Sequence, residues 1–395
     1  MLWFRHSGLA LLVLAFCVAL VATCTAKTVP PRPTDPVTAI VTEDPRTVTV
    51  PPGQVVKRAT PPLPETIRSL EGVGYLGTSS IQAVNLRNEM AYLGLGRILE
   101  MVRLSDPARP QRAGYALLSE RILDVAAASD PSTGQVYAYA ALGQKGLAIV
   151  DVSDPAHPVV ADTRFEGVYV GAVAVDHAHL YVSAGALYIL DRSNPASPTE
   201  QSAYRPADAP GNAGKLIAVS EGLAYVLYHD ASDQAGALRI MDLAEPAFPS
   251  ELGVYRAGAP IRDGMVSKGY AYLLVGQDEP HLVVLDVNNP ARPIIVGPDG
   301  AKPWQGRSLD VAGQMLYLAS GEADDGAGYV QVLDVTDPAQ PVPLGRYDGL
   351  PSPAAEVAAW DDRVLLAAGD RLLVVDLSAP HAPTVVGRYD AQRLP

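Results

Sequence analysis

Cysteine is almost missing from this chain: two in 395 residues, Cys17 and Cys24, both inside the first 26. Everything after them therefore lacks disulfides, thiolate chemistry and cysteine-built zinc sites. Basic clusters are missing too. Thirty Lys and Arg stand against 43 Asp and Glu, for a formal net charge of −13. With no Lys/Arg run to interrupt that excess, the footprint of nucleic-acid binding is absent, and so is electrostatic docking on anionic lipid. No Gly-x-Ser-x-Gly elbow, Walker loop, His-Glu-x-x-His or nucleotide fingerprint occurs, and no Ser, His and Asp stand at a triad-like spacing. The expectation is a non-enzyme without cofactor, Ca²⁺ being the one candidate ion.

What the chain has is a proline-punctuated repeat. A Pro-x-x-Pro pair occurs at Pro107/Pro110, Pro155/Pro158, Pro195/Pro198, Pro246/Pro249, Pro290/Pro293, Pro338/Pro341 and Pro380/Pro383. The mean spacing is roughly 45 residues, within the range of four-stranded propeller blades. Four residues before the first proline stands Asp151, Asp191, Asp242, Asp286, Asp334 or Asp376, with Arg103 in the first copy. A carboxylate ending a strand there accepts turn N–H groups, while proline presets φ and removes a donor. Six equivalent carboxylates are read as six equivalent supports.

Each turn follows a β-branched apolar run such as Leu147 to Val152, which predicts a buried strand. Upstream lies a second strand marked by Tyr92, Tyr139, Tyr181, Tyr225, Tyr272 or Tyr317, and by Leu365 in the last copy. Before it comes an inner strand of small and β-branched residues, as in Asp124 to Ala126, Ala172 to Val175, Leu216 to Val219 and Glu356 to Ala358. After the prolines a fourth strand often closes on an aromatic, as at Tyr204, Tyr255, Tyr347 and Tyr389. Four short strands repeated seven times predict an all-β, seven-bladed β-propeller.

The strings Leu-Ala-Ile-Val-Asp-Val-Ser-Asp-Pro155, Leu-Val-Val-Leu-Asp-Val-Asn-Asn-Pro290 and Val-Gln-Val-Leu-Asp-Val-Thr-Asp-Pro338 resemble the LVIVD repeat. That family is found in bacterial and archaeal cell-surface or secreted proteins. The resemblance covers about Ile81 to Asp390 and implies a propeller. It implies no activity, since the family has no shared catalytic motif. The first copy, Leu99 to Pro107, departs most.

Met1 to Ala26 reads as an export signal, with Arg5 in the n-region and Gly8 to Ala22 as the apolar run. Val21-Ala-Thr-Cys24 approximates a bacterial lipobox, which makes Cys24 the candidate for lipidation. Plain secretion by cleavage near Thr25-Ala26 and an uncleaved anchor are the alternatives. Residues 27–64 form a Pro/Thr-rich linker of extended, polyproline-like character, and 65–395 the propeller. Ring closure has two solutions at this stage. First and last blades pack side by side, or Pro64 to Gly72 lends a strand to the last blade.

Copies differ in the loop between second and third strands and in the link from fourth strand to next blade. Strand alternation puts both loop classes on one face, opposite the Pro turns. The acidic loops there contain Asp230 and Asp233, and Glu322, Asp324 and Asp325. They are solvated turns or oxygen donors for Ca²⁺, without EF-hand spacing. Trp304 is either an exposed anchor or a plug between blades. His177 and His179 lack a third metal ligand. Asp124, Asp263 and Glu356 align at the start of the inner strand, where they either hold a cation in the central channel or cap neighbouring N–H groups.

The resulting expectation is an exported, surface-tethered propeller that binds or scaffolds. Its partner is an unknown protein, peptide or glycan on the variable-loop face, and its membrane contact runs only through the leader. A propeller hydrolase or lactonase with a channel-mouth site, and a structural envelope component, are the rival readings.

Overall fold

The computed structural model describes residues 80–206, 215–229, 235–278, 280–297, 304–320 and 328–391. These belong to one compact unit, Pro61–Pro395. Among the described residues, twenty-eight strands form seven separate four-stranded antiparallel sheets, each from four consecutive strands paired in sequence order. The first blade has strands Ile81–Arg87, Met90–Leu95, Ile98–Arg103 and Gln111–Leu117. The inner strands of the others are Asp124–Ser129, Ala172–Val175, Lys215–Ser220, Ile261–Ser267, Ser308–Ala312 and Ala354–Trp360. The predicted seven-bladed propeller is the observed fold.

The core is not one mass but seven layers, each between two neighbouring blades. The repeat tyrosine is the marker. Tyr92 packs between first and second blades, Tyr139 between second and third, Tyr181 between third and fourth, and Tyr225 between fourth and fifth. Tyr272 and Tyr317 continue the series, and Leu365 lies between seventh and first. A tyrosine carries enough apolar area to fill such a layer. The Tyr139 hydroxyl also donates to the Pro195 carbonyl in the next blade's turn, at 3.1 Å.

Every Pro turn is built alike. In all seven copies the N–H two residues past the first proline donates to the carbonyl of the residue before that proline, from Arg109 to Asp106 through Ala382 to Ala379. This is a type I turn with proline at its second position. The strand-end aspartates each accept the N–H two residues on: Ser153, Ser193, Ala244, Asn288, Thr336 and Ser378, at 2.6–2.9 Å. The supporting role read from the repeat is the one observed.

The outer strand meets the next turn so closely that it needs glycine. A Cβ on Gly114 would stand 1.7 Å from the Pro155 carbonyl oxygen, one on Gly345 2.0 Å from that of Pro380, and one on Gly387 1.9 Å from that of Pro107. The third blade has Ser202 at this position, and its hydroxyl donates to the Pro246 carbonyl at 2.6 Å.

Among the described residues, seventh and first blades pack side by side, while the alternative strand from Pro64 to Gly72 lies outside them. Seventh and first blades share a continuous apolar layer, with Leu365, Leu372 and Val374 against Leu93, Val102 and Leu104. The Ile81 N–H donates to the Gly369 carbonyl at 2.8 Å. Gly387 makes the same turn contact at this seam that its counterparts make elsewhere. Among the described residues, neither sheet contains a strand from outside its own repeat.

Candidate functional site: inner strands and variable rim

The inner strand's free edge faces the next blade, and its N–H groups need partners. Side chains supply them by a simple rule. The Asp124 carboxylate accepts from its own Val125 N–H and from Val173 of the third blade, at 2.8 and 2.9 Å. Asp263 accepts from Leu309 of the sixth blade at 2.9 Å. The Ser308 hydroxyl accepts from Val357 of the seventh at 3.3 Å. Two residues further along, Asn85 accepts from Ala127 at 3.0 Å and Asp310 from Ala359 at 2.6 Å. Of the two roles anticipated for Asp124 and Asp263, the clasping of neighbouring N–H groups is the one the geometry displays. Asp310, Asn85 and Ser308 share it and escaped the sequence reading.

Glu356 occupies the same position in the last blade, where the matching donor is the Val84 N–H of the first, but its longer side chain does not complete the clasp. It is 1% exposed, and although the Val84 N–H lies close enough to act on it, neither oxygen reaches hydrogen-bond geometry. Burial, and then Asp124 and Asp263, push its carboxyl well above the ordinary value. Lys215 and the Val84 N–H pull the other way. Lys215 comes from the fourth blade, its ammonium 3.2 Å from Asp263 Oδ1. Four charge-bearing side chains from four blades thus share the channel at its variable-loop end. Among the described residues no three His, Cys, Asp or Glu side chains converge as a metal site.

Two further polar clusters join blades. In one, Glu100 and Arg112 of the first blade pair, and the Tyr389 hydroxyl of the last donates to Glu100 at 2.9 Å. In the other, Arg239 and Glu251 of the fourth blade pair, and Tyr204 of the third donates to Glu251 at 2.8 Å. Register shows these to be the same site with its charges exchanged, since Glu100 and Arg239 occupy equivalent third-strand positions. Only the sign differs.

On the variable rim, the link from second to third blade exposes Val168 and Tyr169, the latter 51% exposed. Beside it Phe165 meets Tyr188 with ring centroids 4.9 Å apart, and Arg205 lies over the Tyr188 ring while donating to its hydroxyl at 3.0 Å. This aromatic cluster was not singled out in the sequence, where Tyr188 looks like one more strand residue. Trp304 is half-buried and packs against the layer between fifth and sixth blades, its carbonyl accepting from Leu282 at 2.9 Å. His177 and His179 flank an Asp176-centred turn, in which Asp176 accepts the His179 N–H and the Tyr181 hydroxyl. Cys24, Asp230, Asp233, Glu322, Asp324 and Asp325 lie outside the described residues, as does Pro64 to Gly72.

No curated protein matches the chain. Solved structures similar to it include the computationally designed Ika8 protein, at 12% identity over 82% of this chain and 90% of that one, with a TM-score of 0.54. Kuenenia stuttgartiensis hydrazine synthase matches at 11% identity over 79% and 97%, with a TM-score of 0.55. Saccharomyces cerevisiae Sqt1 matches at 10% over 82% and 90%, with a TM-score of 0.54. Similarity at this level speaks for the fold alone. The LVIVD repeat model matches residues 128–163, 168–205, 210–257, 262–298 and 354–391. Those segments fall in the second to fifth and the seventh blades, and the first and sixth blades continue the same phase. The chain belongs to the LVIVD-repeat family.

Proposed function

We propose that this is an exported, surface-tethered propeller acting as a non-catalytic binding or scaffolding module, its protein, peptide or glycan partner held on the rim of variable loops. The observation that carries the reading is the asymmetry of the two faces. On the Pro-turn face, proline carbonyls and outer-strand glycines are committed to neighbouring blades, and strand-end aspartates to their own turns. On the opposite rim Tyr169, Val168, Phe165, Tyr188 and Arg205 form a patch whose aromatic and arginine content suits a binding surface. Phe248, 77% exposed on a Pro turn, stands singly, as exposed apolar side chains often do. Tethering rests on the Val21-Ala-Thr-Cys24 string.

The test has two arms. Fractionation and fatty-acid labelling of wild type and Cys24→Ser should show label and membrane retention in the wild type only. Cross-linking on intact cells should place partner contacts near Tyr169 and Arg205. Contacts around Phe248 and the Pro turns instead would overturn the assignment of the working face.

A further inference from the structure

Glu356 sits at the joint where the ring closes. The corresponding joints are made by Asp124 between second and third blades, Asp263 between fifth and sixth, and Ser308 between sixth and seventh. Each completes a hydrogen bond to its neighbour. At the joint from seventh to first blade the carboxyl is buried and neither oxygen reaches hydrogen-bond geometry, the Val84 N–H acting on it only weakly. A buried carboxylate without donors is strongly disfavoured, and a neutral carboxyl far less so.

The charges facing it are Asp124, Lys215 and Asp263, one from each of three inner strands. Asp310, on the inner strand packed alongside, is spent on the Val311 and Ala359 N–H groups. Arg87, Arg363 and Asp334, on the other strands that pack against Ala354–Trp360, stand at the Pro-turn end of their strands. With all four groups ionised, three negative charges would face one positive charge among buried side chains. A proton on Glu356 reduces that excess by one.

We propose that Glu356 is a proton-held latch: as a neutral carboxyl it lets the last blade close on the first, and its ionisation loosens that seam. The sign follows from linkage. A carboxyl that holds its proton more tightly in the folded ring contributes stability below its ordinary value of 4.5, and that contribution is lost as pH rises through the folded value. Nothing covalent holds first and last blades together, so the seam is where a loss of stability shows first. The latch thus makes the joint between last and first blades alkali-sensitive, with the other joints, made by hydroxyl and clasped carboxylates, left closed.

Hydrogen exchange of the intact propeller between about pH 5 and pH 9 tests this, comparing wild type with Glu356→Gln at each pH so that intrinsic exchange cancels. Amides of Ile81–Arg87 and Ala354–Trp360 should lose protection by about tenfold or more in the wild type relative to the variant at the alkaline end, while Ser308–Ala312 changes little. If Glu356→Gln folds poorly, Asp124→Asn carries the test, since removing a facing carboxylate should shrink the alkaline loss. Identical pH profiles in wild type and variants would overturn the latch. So would protection that K⁺ or Ca²⁺ restores at high pH in the wild type but not in the Gln variant, which would make the channel a cation site.

Discussion

The two ends of each blade use the same chemistry to opposite effect. At the Pro-turn end an aspartate, proline and a glycine recur in nearly every copy, and the strand-end aspartates accept N–H groups of their own turns. At the variable-loop end the inner-strand position is Asp124, Asp263, Ser308 or Glu356 in four blades and Ala83 or Ala172 in two others. The repeated end shows what a blade needs in order to exist, and the unlike end shows where blades are free to differ. Repetition alone therefore marks support, and departures from it mark the places to look for function.

The largest effect should come from the seam's outer cluster. Glu100 is 1% exposed and depends on Arg112 and Tyr389. Arg112→Ala leaves that carboxylate buried without its charge partner, and urea unfolding should show a loss of about 3 kcal/mol. A far smaller loss would mean that the cluster does not hold the blades.

Next comes the turn support. Asp286→Ala strands the Asn288 N–H and should cost about 1–2 kcal/mol in the same assay. Binding at the rim should be untouched. Unchanged stability with abolished binding would move Asp286 from support to site.

Acid should act on the turn end and alkali on the channel. Hydrogen bonds from Ser193, Thr336 and Ser378 lower the carboxyls of Asp191, Asp334 and Asp376. Burial raises that of Asp176, but bonds from His179 and Tyr181 outweigh it and bring the value to about 2. Carboxyls lowered in this way contribute stability above their ordinary value of 3.8 and lose it as pH falls toward about 2. Melting curves across that window should flatten in Asp176→Asn. Equal acid sensitivity in wild type and variant would remove Asp176 from the account.

The smallest effect on stability is expected at the rim. Tyr169→Ala should change unfolding by less than about 0.5 kcal/mol while weakening partner capture. A large stability loss there would make the aromatic patch another blade joint.

The strand order, the repeat phase, the Pro turns and their aspartates were all legible in the sequence, because each rests on contacts within a few residues. Asp286 and Asn288 announce themselves by spacing. The joints between blades were not legible in the same way. Asp124 meets Val173 and Asp310 meets Ala359 across 49 residues, one repeat plus a small offset. That offset depends on how two sheets align in space, which no single repeat encodes. The outer-strand glycines Gly114, Gly253, Gly345 and Gly387 were a usable signal, since they recur in phase without any turn to explain them. The exchange of charge between Glu100/Arg112 and Arg239/Glu251 hid one site under two opposite patterns.

Adding the same methyl group at either end tests the central claim most directly. Gly387 lies against the Pro107 carbonyl at the seam, whereas Gly258, in a link on the variable rim, has nothing within 4 Å of an added Cβ. Equilibrium urea unfolding of Gly387→Ala and Gly258→Ala should give a loss of about 2–3 kcal/mol for the first. For the second it should give no loss, or a gain of a few tenths of a kcal/mol from the stiffer unfolded chain. Equal losses at the two sites would contradict the division between a Pro-turn end that holds the ring and a rim that is free to vary.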